Sequence, residues 1–322
     1  MTTATPSTCP DLGSLPYAAT PDSDNRRIRL YDVLPILSIH LVGIAAVFTG
    51  FSWTAVAVAA ALFWARMLII TAFYHRYFSH RTFRTHRVTQ FLAAALGTTC
   101  AQRGPVWWAA HHRVHHQHAD DHPDPHSPGL KGLLFSHVGW FLTQRGQQID
   151  WSRVPDWRKY PELVFIERWH MAGAFVLAGA LFALGFTLQH TAPSLNTSGP
   201  QLVTWGFGIS TSLLYHATFT INSLAHTIGS QRFNTGDDSR NNWFLAIITL
   251  GEGWHNNHHF YPGTARQGFY WYEFDPAYWA LRTLALLGVV WDLRPVPASV
   301  YRAAQVHSLQ RTLRAPFAKA TT

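Results

Sequence analysis

The amino-acid sequence predicts an all-α integral membrane protein: four transmembrane helices in two hairpins, with a cytosolic helical cap. Three observations carry this expectation. Only 13% of the 322 residues are charged and 48% are hydrophobic, whereas soluble proteins carry about 25% charged residues. Four stretches approach the roughly 20 apolar residues that cross a bilayer core as a helix. The arginines and lysines that border these stretches fall on one side of them.

Residues 1–25 are polar and rich in Thr, Ser, Pro and Asp, with no secretory signal, and read as a disordered tail. Residues 26–300 form one domain with no dividing linker, and 301–322 a second tail. The spans are expected at about 33–50, 53–73, 171–189 and 201–221, the last two without any charged residue. The connector Gly50–Trp53 is very short and closes the first hairpin. The turn-rich connector His190–Pro200 closes the second. Neither contains Lys or Arg, whereas Arg26, Arg27 and Arg29, then Arg76, Arg81, Arg84 and Arg87, then Arg158, Lys159 and Arg168, and finally Arg232 and Arg240 flank the opposite ends. The positive-inside rule therefore puts both termini and the segments at about 75–168 and 222–300 in the cytosol. Within these segments Val88–Gln102, Asn242–Leu250 and Tyr278–Trp291 read as short amphipathic helices at the interface or in the cap. No strand-rich segment or repeat is evident. Arg66, well inside the second span, is costly unless it turns to the protein interior or a polar layer, and no partner for it is visible in the sequence.

The net charge of +8 fits a membrane surface better than nucleic acid, because the basic residues flank apolar spans. Cys9 and Cys100 lie far apart, which excludes a disulfide framework, and neither resembles a metal ligand. The outlier is histidine, with 20 residues. Three boxes lie on the cytosolic side. HRYFSH contains His75 and His80, five apart, so that either the helix ends between them or the two rings address different metals. HHRVHH at 111–116 contains His112, His115 and His116, and HNNHH at 255–259 repeats that spacing with His255, His258 and His259. At i, i+3 and i+4 the three rings share one helical face. His111 could pair with His115 instead of His112, but the repeated pattern of the third box selects His112. Imidazole is a ligand for iron, copper, zinc and nickel, and eight imidazoles exceed the three or four ligands of a single zinc site. Two redox metals with no acid inside any box point to dioxygen activation. His86, His118, His122, His137, His170 and His307 read as solvated or packed, and His40 and His216, inside spans, as hydrogen-bonding groups.

With these boxes the chain resembles the membrane-bound acyl-CoA desaturases of the stearoyl-CoA, Δ9 type and their bacterial relatives, over roughly residues 30–295. The matching segments are HRYFSH, WWAAHHRVHH at 107–116, DPH at 124–126, SHVGW at 136–140, NSLAH at 222–226 and GEGWHNNHH at 251–259. The resemblance implies two iron ions in a non-haem di-iron centre with a ninth ligand, His226, and with Asn222 holding a water on one iron. It also implies a kinked substrate tunnel. Trp108, Thr218 and Phe219 match positions at the kink, and Phe63 and Met67 match positions that close the far end and limit the chain to palmitoyl or stearoyl length. The implied reaction is dioxygen-dependent insertion of a cis double bond, at Δ9, into a saturated C16–C18 chain carried as acyl-CoA or, less simply, as acyl-lipid. No haem or iron–sulfur motif is present, so the electrons are expected from outside, from cytochrome b5 or a ferredoxin with its reductase. The expected location is the bacterial inner membrane, or the endoplasmic reticulum in a eukaryote, with the bilayer as partner and no nucleic acid. The rival readings are a fatty-acid or alkane hydroxylase with a similar centre and, further off, a His-rich metal transporter, whose ligands would lie near the bilayer midplane.

Overall fold

A computed structural model describes residues 28–305, so the expected N-terminal tail and residues 306–322 lie outside the described residues. The fold is helical. Among the described residues three helices are long and apolar enough to cross a membrane: α1 (Leu30–Thr49), α2 (Trp53–Ser79) and the helix Ala172–Thr191. Little of their apolar surface is covered by protein, only 11% of the most apolar window of α1. Phe48, Trp53 and Phe175 stand 88%, 78% and 73% exposed, the pattern of a surface facing lipid rather than water. Gly50, at a φ of +77°, ends α1 in a conformation that favours glycine, and the Ser52 hydroxyl accepts from the Ala55 N–H to start α2 two residues later.

The cap follows in chain order. β1 (Arg84–Thr85) leads to α3 (Arg87–Thr98), α4 (Pro105–His118), α5 (Pro161–Arg168) and then α6 (Ala172–Thr191). The expected fourth span, 201–221, is helical along its whole length as part of α7 (residues 199–223), which contains a π-helical stretch at Val203–Ile209. It is not among the three helices apolar enough to cross, and its position explains why. α7 packs against α1, α2 and α6 together, so its polar residues bond inward rather than meeting lipid. Thr204 meets Thr49 at 2.8 Å, Gln201 donates to Thr49 O at 3.0 Å, and Gly208 lies so near α1 that a Cβ would fall 2.5 Å from Gly43 N. Small residues let two helix backbones approach this closely.

The same helix answers for Arg66. Its guanidinium donates to Ser210 Oγ at 2.6 Å, Thr211 Oγ1 at 2.7 Å, Thr99 O at 3.1 Å and Leu62 O at 3.2 Å. Hydroxyls and carbonyls, with no carboxylate among these partners, satisfy a buried cation at this depth.

Beyond α7, α8 (Trp243–Ile248), α9 (His255–Phe260) and α10 (Pro276–Leu286) complete the cap. The three expected amphipathic helices exist as the shorter α3, α8 and α10. One small element went unforeseen: β2 (Val290–Trp291) pairs antiparallel with β1 and ties the late chain to the segment just after the first histidine box. Residues 298–305 are helical, and Val300 and Ala304 join a small core with Phe233 and Phe269. The main core, with Met67, Tyr74, Phe78, Trp157, Leu163, Leu214 and Leu281, gathers around the end of α2.

Candidate metal centre

The end of α2 is wound as a π-helix from Ile70 to Ser79, and His80 N bonds back to His75 O at 3.3 Å, an i→i+5 step. Widening the turn brings residues five apart to one side. The helix stops between His75 and His80, as one of the two alternatives required, yet both rings point into a single cluster. That cluster holds His75, His80, His112, His116 and His258. A second holds His115, His226, His255 and His259, and within each the potential ligand atoms lie within 4.8 Å of one another. The HxxHH boxes are therefore split. In α4 the i, i+4 pair His112 and His116 turns to the first cluster and His115 to the second. In α9 His258 joins the first cluster, while His255 and His259 join the second.

The atoms that converge are the Nε2 nitrogens. His75 faces His258 at 3.0 Å, His80 faces His112 at 2.8 Å and His258 faces His116 at 2.8 Å. In the other cluster His226 faces His255 at 3.0 Å and His115 faces His259 at 3.3 Å. Burial, reinforced by the neighbouring imidazoles, holds His112, His116, His255, His258 and His259 well below the usual imidazole range. Burial thus favours the neutral imidazole, the form that binds metal. For His115 burial acts downward too, but the Asp124 carboxylate, with Asp120 and Asp237, more than offsets it.

Several Nδ1 atoms are anchored from behind by acids that lie outside the boxes. Asp124 holds His115 at 3.0 Å, Asp120 holds His226 at 2.6 Å, Asp237 holds His259 at 2.9 Å and Glu252 holds His75. A carboxylate on Nδ1–H fixes the tautomer and ring plane and turns the Nε2 lone pair forward. Sequence reasoning noted that the boxes contain no acid and did not find these four. The only signal was the place of Asp124 in the matched DPH segment and of Glu252 in GEGWHNNHH, with none for Asp120 and Asp237. Against the upward push of burial, His115 and His126 hold Asp124 below the usual carboxylate range. His126, also unassigned from sequence, packs tilted against His115 with ring centroids 4.3 Å apart.

The remaining residues singled out from sequence lie as follows. His111 turns away from both clusters, its Nδ1 on Trp107 O at 3.1 Å and its ring against Trp107 and Trp140. His40 and His216 bond each other at 3.1 Å, and His216 continues to His137 at 3.0 Å. A cavity of about 300 Å³ runs from Tyr31, Asp32 and Met171 past Phe219 to Trp108, His112, Thr218 and Asn222. A smaller one shares those last four residues and continues to Met67, Ile70 and Thr249. Phe63 lines neither; it packs against the core around the end of α2. Gln102 donates to Thr218 at 3.1 Å and Trp108 stacks on His112 at 5.2 Å where the two cavities meet.

The donor set fits two metal ions of the iron type: nine imidazoles, five and four. α4, which carries three of them, begins at a buried acid, since Glu167 accepts from the Val106 and Trp107 N–H groups at 2.9 Å each. Burial, only partly offset by these bonds, pushes Glu167 up to about 7.

The family described as fatty acid desaturase matches residues 51–292. A palmitoyl-monogalactosyldiacylglycerol delta-7 desaturase of Arabidopsis thaliana is 35% identical, over 89% of this chain and 81% of its own length. An sn-1 stearoyl-lipid 9-desaturase of Anabaena variabilis is 33% identical, over 84% and 96%. An acyl-CoA 5-desaturase of Anemone leveillei is 32% identical, over 85% and 81%.

Proposed function

The chain belongs to the fatty acid desaturase family, and from that premise we propose that it inserts a cis double bond at Δ9 into a saturated C16–C18 acyl chain. The observation that carries the proposal is the pair of imidazole clusters lying against two adjoining, largely apolar cavities. The overall change is balanced: –CH2–CH2– with one dioxygen, two protons and two electrons becomes –CH=CH– and two waters. The electrons come from an external one-electron carrier, cytochrome b5 or a ferredoxin with its reductase. Two iron ions would supply the dioxygen activation that removal of hydrogen from an unactivated methylene requires.

In this reading His75, His80, His112, His116 and His258 hold one iron. His115, His226, His255 and His259 hold the other, and Asn222 positions a water. Asp120, Asp124, Asp237 and Glu252 keep the rings oriented. The rest of the work is placement, since an error of about an ångström can cost on the order of a hundredfold in rate. Trp108 and Thr218, which line both cavities, bend the chain beside His112, and Gln102 braces Thr218. A chain bent at the reacting carbons favours the cis product. Met67 closes the far arm, and Phe63 backs that wall from the core.

The topology proposed is four spans, with α7 as the fourth, in the bacterial inner membrane and with both termini and the metal centre cytosolic. It is supported by the absence of Lys and Arg from the connectors at 50–53 and 190–200. Expression in a desaturase-deficient host with a competent electron donor, followed by double-bond location in the fatty acids, tests the function. A new Δ9 cis-unsaturated C16 or C18 chain is expected. Hydroxylated products in place of unsaturated ones would overturn it.

A further inference from the structure

Three histidines outside the metal centre form a hydrogen-bonded chain across α1, α7 and the cap. His40 of α1 meets His216 of α7, Nε2 to Nε2, at 3.1 Å. His216 Nδ1 lies 3.0 Å from Nε2 of His137, which comes from the cap segment Phe135–Gly139 packed on α7. His137 Nδ1 lies 2.9 Å from Ser223 Oγ, back on α7. At the other end His40 Nδ1 lies 2.7 Å from Ile36 O. A carbonyl oxygen only accepts, so His40 Nδ1 donates, and the Nε2 of the neutral ring accepts. His216 Nε2 then donates to His40, His137 Nε2 donates to His216, and the Ser223 hydroxyl donates to His137. Ser223 Oγ also lies 2.9 Å from Phe219 O, and its single proton serves one of the two at a time. Burial, with His216 beside it, holds His137 below the usual imidazole range, which favours the neutral form that this order needs. One set of neutral tautomers thus satisfies the chain from Ile36 to Ser223 and fixes the plane of each ring.

The group held by this chain is Phe219. Its ring is buried and lines the cavity of about 300 Å³, as Ile36 does at the far end of the chain. His137 and His216 stack on each other at 5.4 Å and meet the Phe219 ring at 5.7 and 6.2 Å. Phe141 and Tyr215 meet it at 4.9 and 5.3 Å. Those two contacts are apolar and tolerate sliding, whereas the histidines cannot turn without breaking a directional bond. Asn222 follows Phe219 by three residues on the same helix, so both lie on one face and both line the cavity. A displacement of the Phe219 ring therefore alters the cavity one helical turn from its inner end, where the chain meets His112. An error of about an ångström there misplaces the reacting carbons.

We propose that His137 and His216 are positioning residues that fix the place of the double bond: bonded to each other, to His40 and to Ser223, they hold Phe219 against the acyl chain and so decide which pair of methylenes stands beside the metal centre. This rests on the desaturase reading and adds to it what sets the register of the substrate.

The test uses the full, iron-loaded chain with a competent donor system, and reads kcat, KM, iron content and the double-bond position of every product. His137→Phe and His216→Phe keep an aromatic ring and remove the hydrogen bonds. Each is expected to retain its iron, to lower kcat about tenfold with KM little changed, and to spread the double bond over neighbouring positions, because register is lost while the contacts along the chain that bind it remain. His137→Gln, whose amide both donates and accepts, is expected to restore much of the single position. Phe219→Leu removes the ring that is held, and is expected to spread the products in the same way; it decides the matter if a histidine variant does not fold. A single, unshifted position in both histidine-to-phenylalanine variants, or in Phe219→Leu, overturns the inference and leaves the desaturase reading standing. An equal spread in His137→Phe and His137→Gln overturns the role of the hydrogen bonds. Absence of any unsaturated product from the unaltered chain overturns the desaturase reading and this inference with it.

Discussion

His111 and His112 are adjacent in α4 and face opposite environments, one packed on Trp107 and Trp140, the other among four imidazoles. The spacing repeated in two boxes made that choice legible from sequence, because helical geometry alone decides which neighbours share a face. The expected consequence is that His112→Gln loses iron while His111→Gln retains it, checked by metal analysis of the purified proteins. The acids behind the rings were not legible in the same way. Asp120 and Asp237 reach their histidines from distant parts of the chain, His226 and His259 respectively, and no local pattern marks them. Asp124→Asn, which removes the carboxylate on His115 Nδ1, is expected to weaken metal binding about 10- to 100-fold. Titration with a chelator would read this as early loss of part of the iron, and an unchanged titration would sink the orienting role.

At the scale of the element, α4 is fixed by its first turn. Its N–H groups end on a buried carboxylate, Glu167, which burial pushes up to about 7 from an ordinary 4.5. A raised value means that the folded protein prefers the protonated acid. The stabilisation is full below about pH 4.5 and is lost as pH rises through about 7, by roughly 3 kcal/mol for a shift of this size. Thermal unfolding in detergent should therefore show a midpoint that falls between about pH 4.5 and 7 and levels off above. In Glu167→Gln, which keeps a carbonyl oxygen for the Val106 and Trp107 N–H groups, that slope should vanish. A slope of the same size in the variant would assign it to another group. The π-wound end of α2 is the element that sequence described least well. A five-residue spacing fits no face of an α-helix, and only the i→i+5 winding brings His75 and His80 to one cluster.

For the whole molecule, the two cavities share Trp108 and Thr218 in their walls, and the inner one extends to Met67. Met67 lines the inner cavity, and Phe63 packs against the core cluster to which Met67 belongs. Met67→Ala is therefore expected to shift the products toward longer chains. Phe63→Ala should do so less, its effect passing only through the packing of Met67. Product profiles from the desaturase-deficient host would show this, and an unchanged profile for Met67→Ala would remove it from the length-limiting role.

Composition and spacing by themselves determined the helical class, three of the spans, the histidine boxes and the side of the membrane on which they were expected. These features are local or summed over short windows: apolar length, helical periodicity and charge at span ends. Family resemblance was needed for His226, a lone histidine in no repeated pattern. Only the tertiary structure decided how the nine imidazoles divide five and four, which acids stand behind them, what satisfies Arg66 and why α7 is polar. Apart from Asp124 and His115, nine residues apart, these depend on residues far apart in sequence that meet only when α2, α4, α7 and α9 pack together, so that no short window along the chain contains both partners.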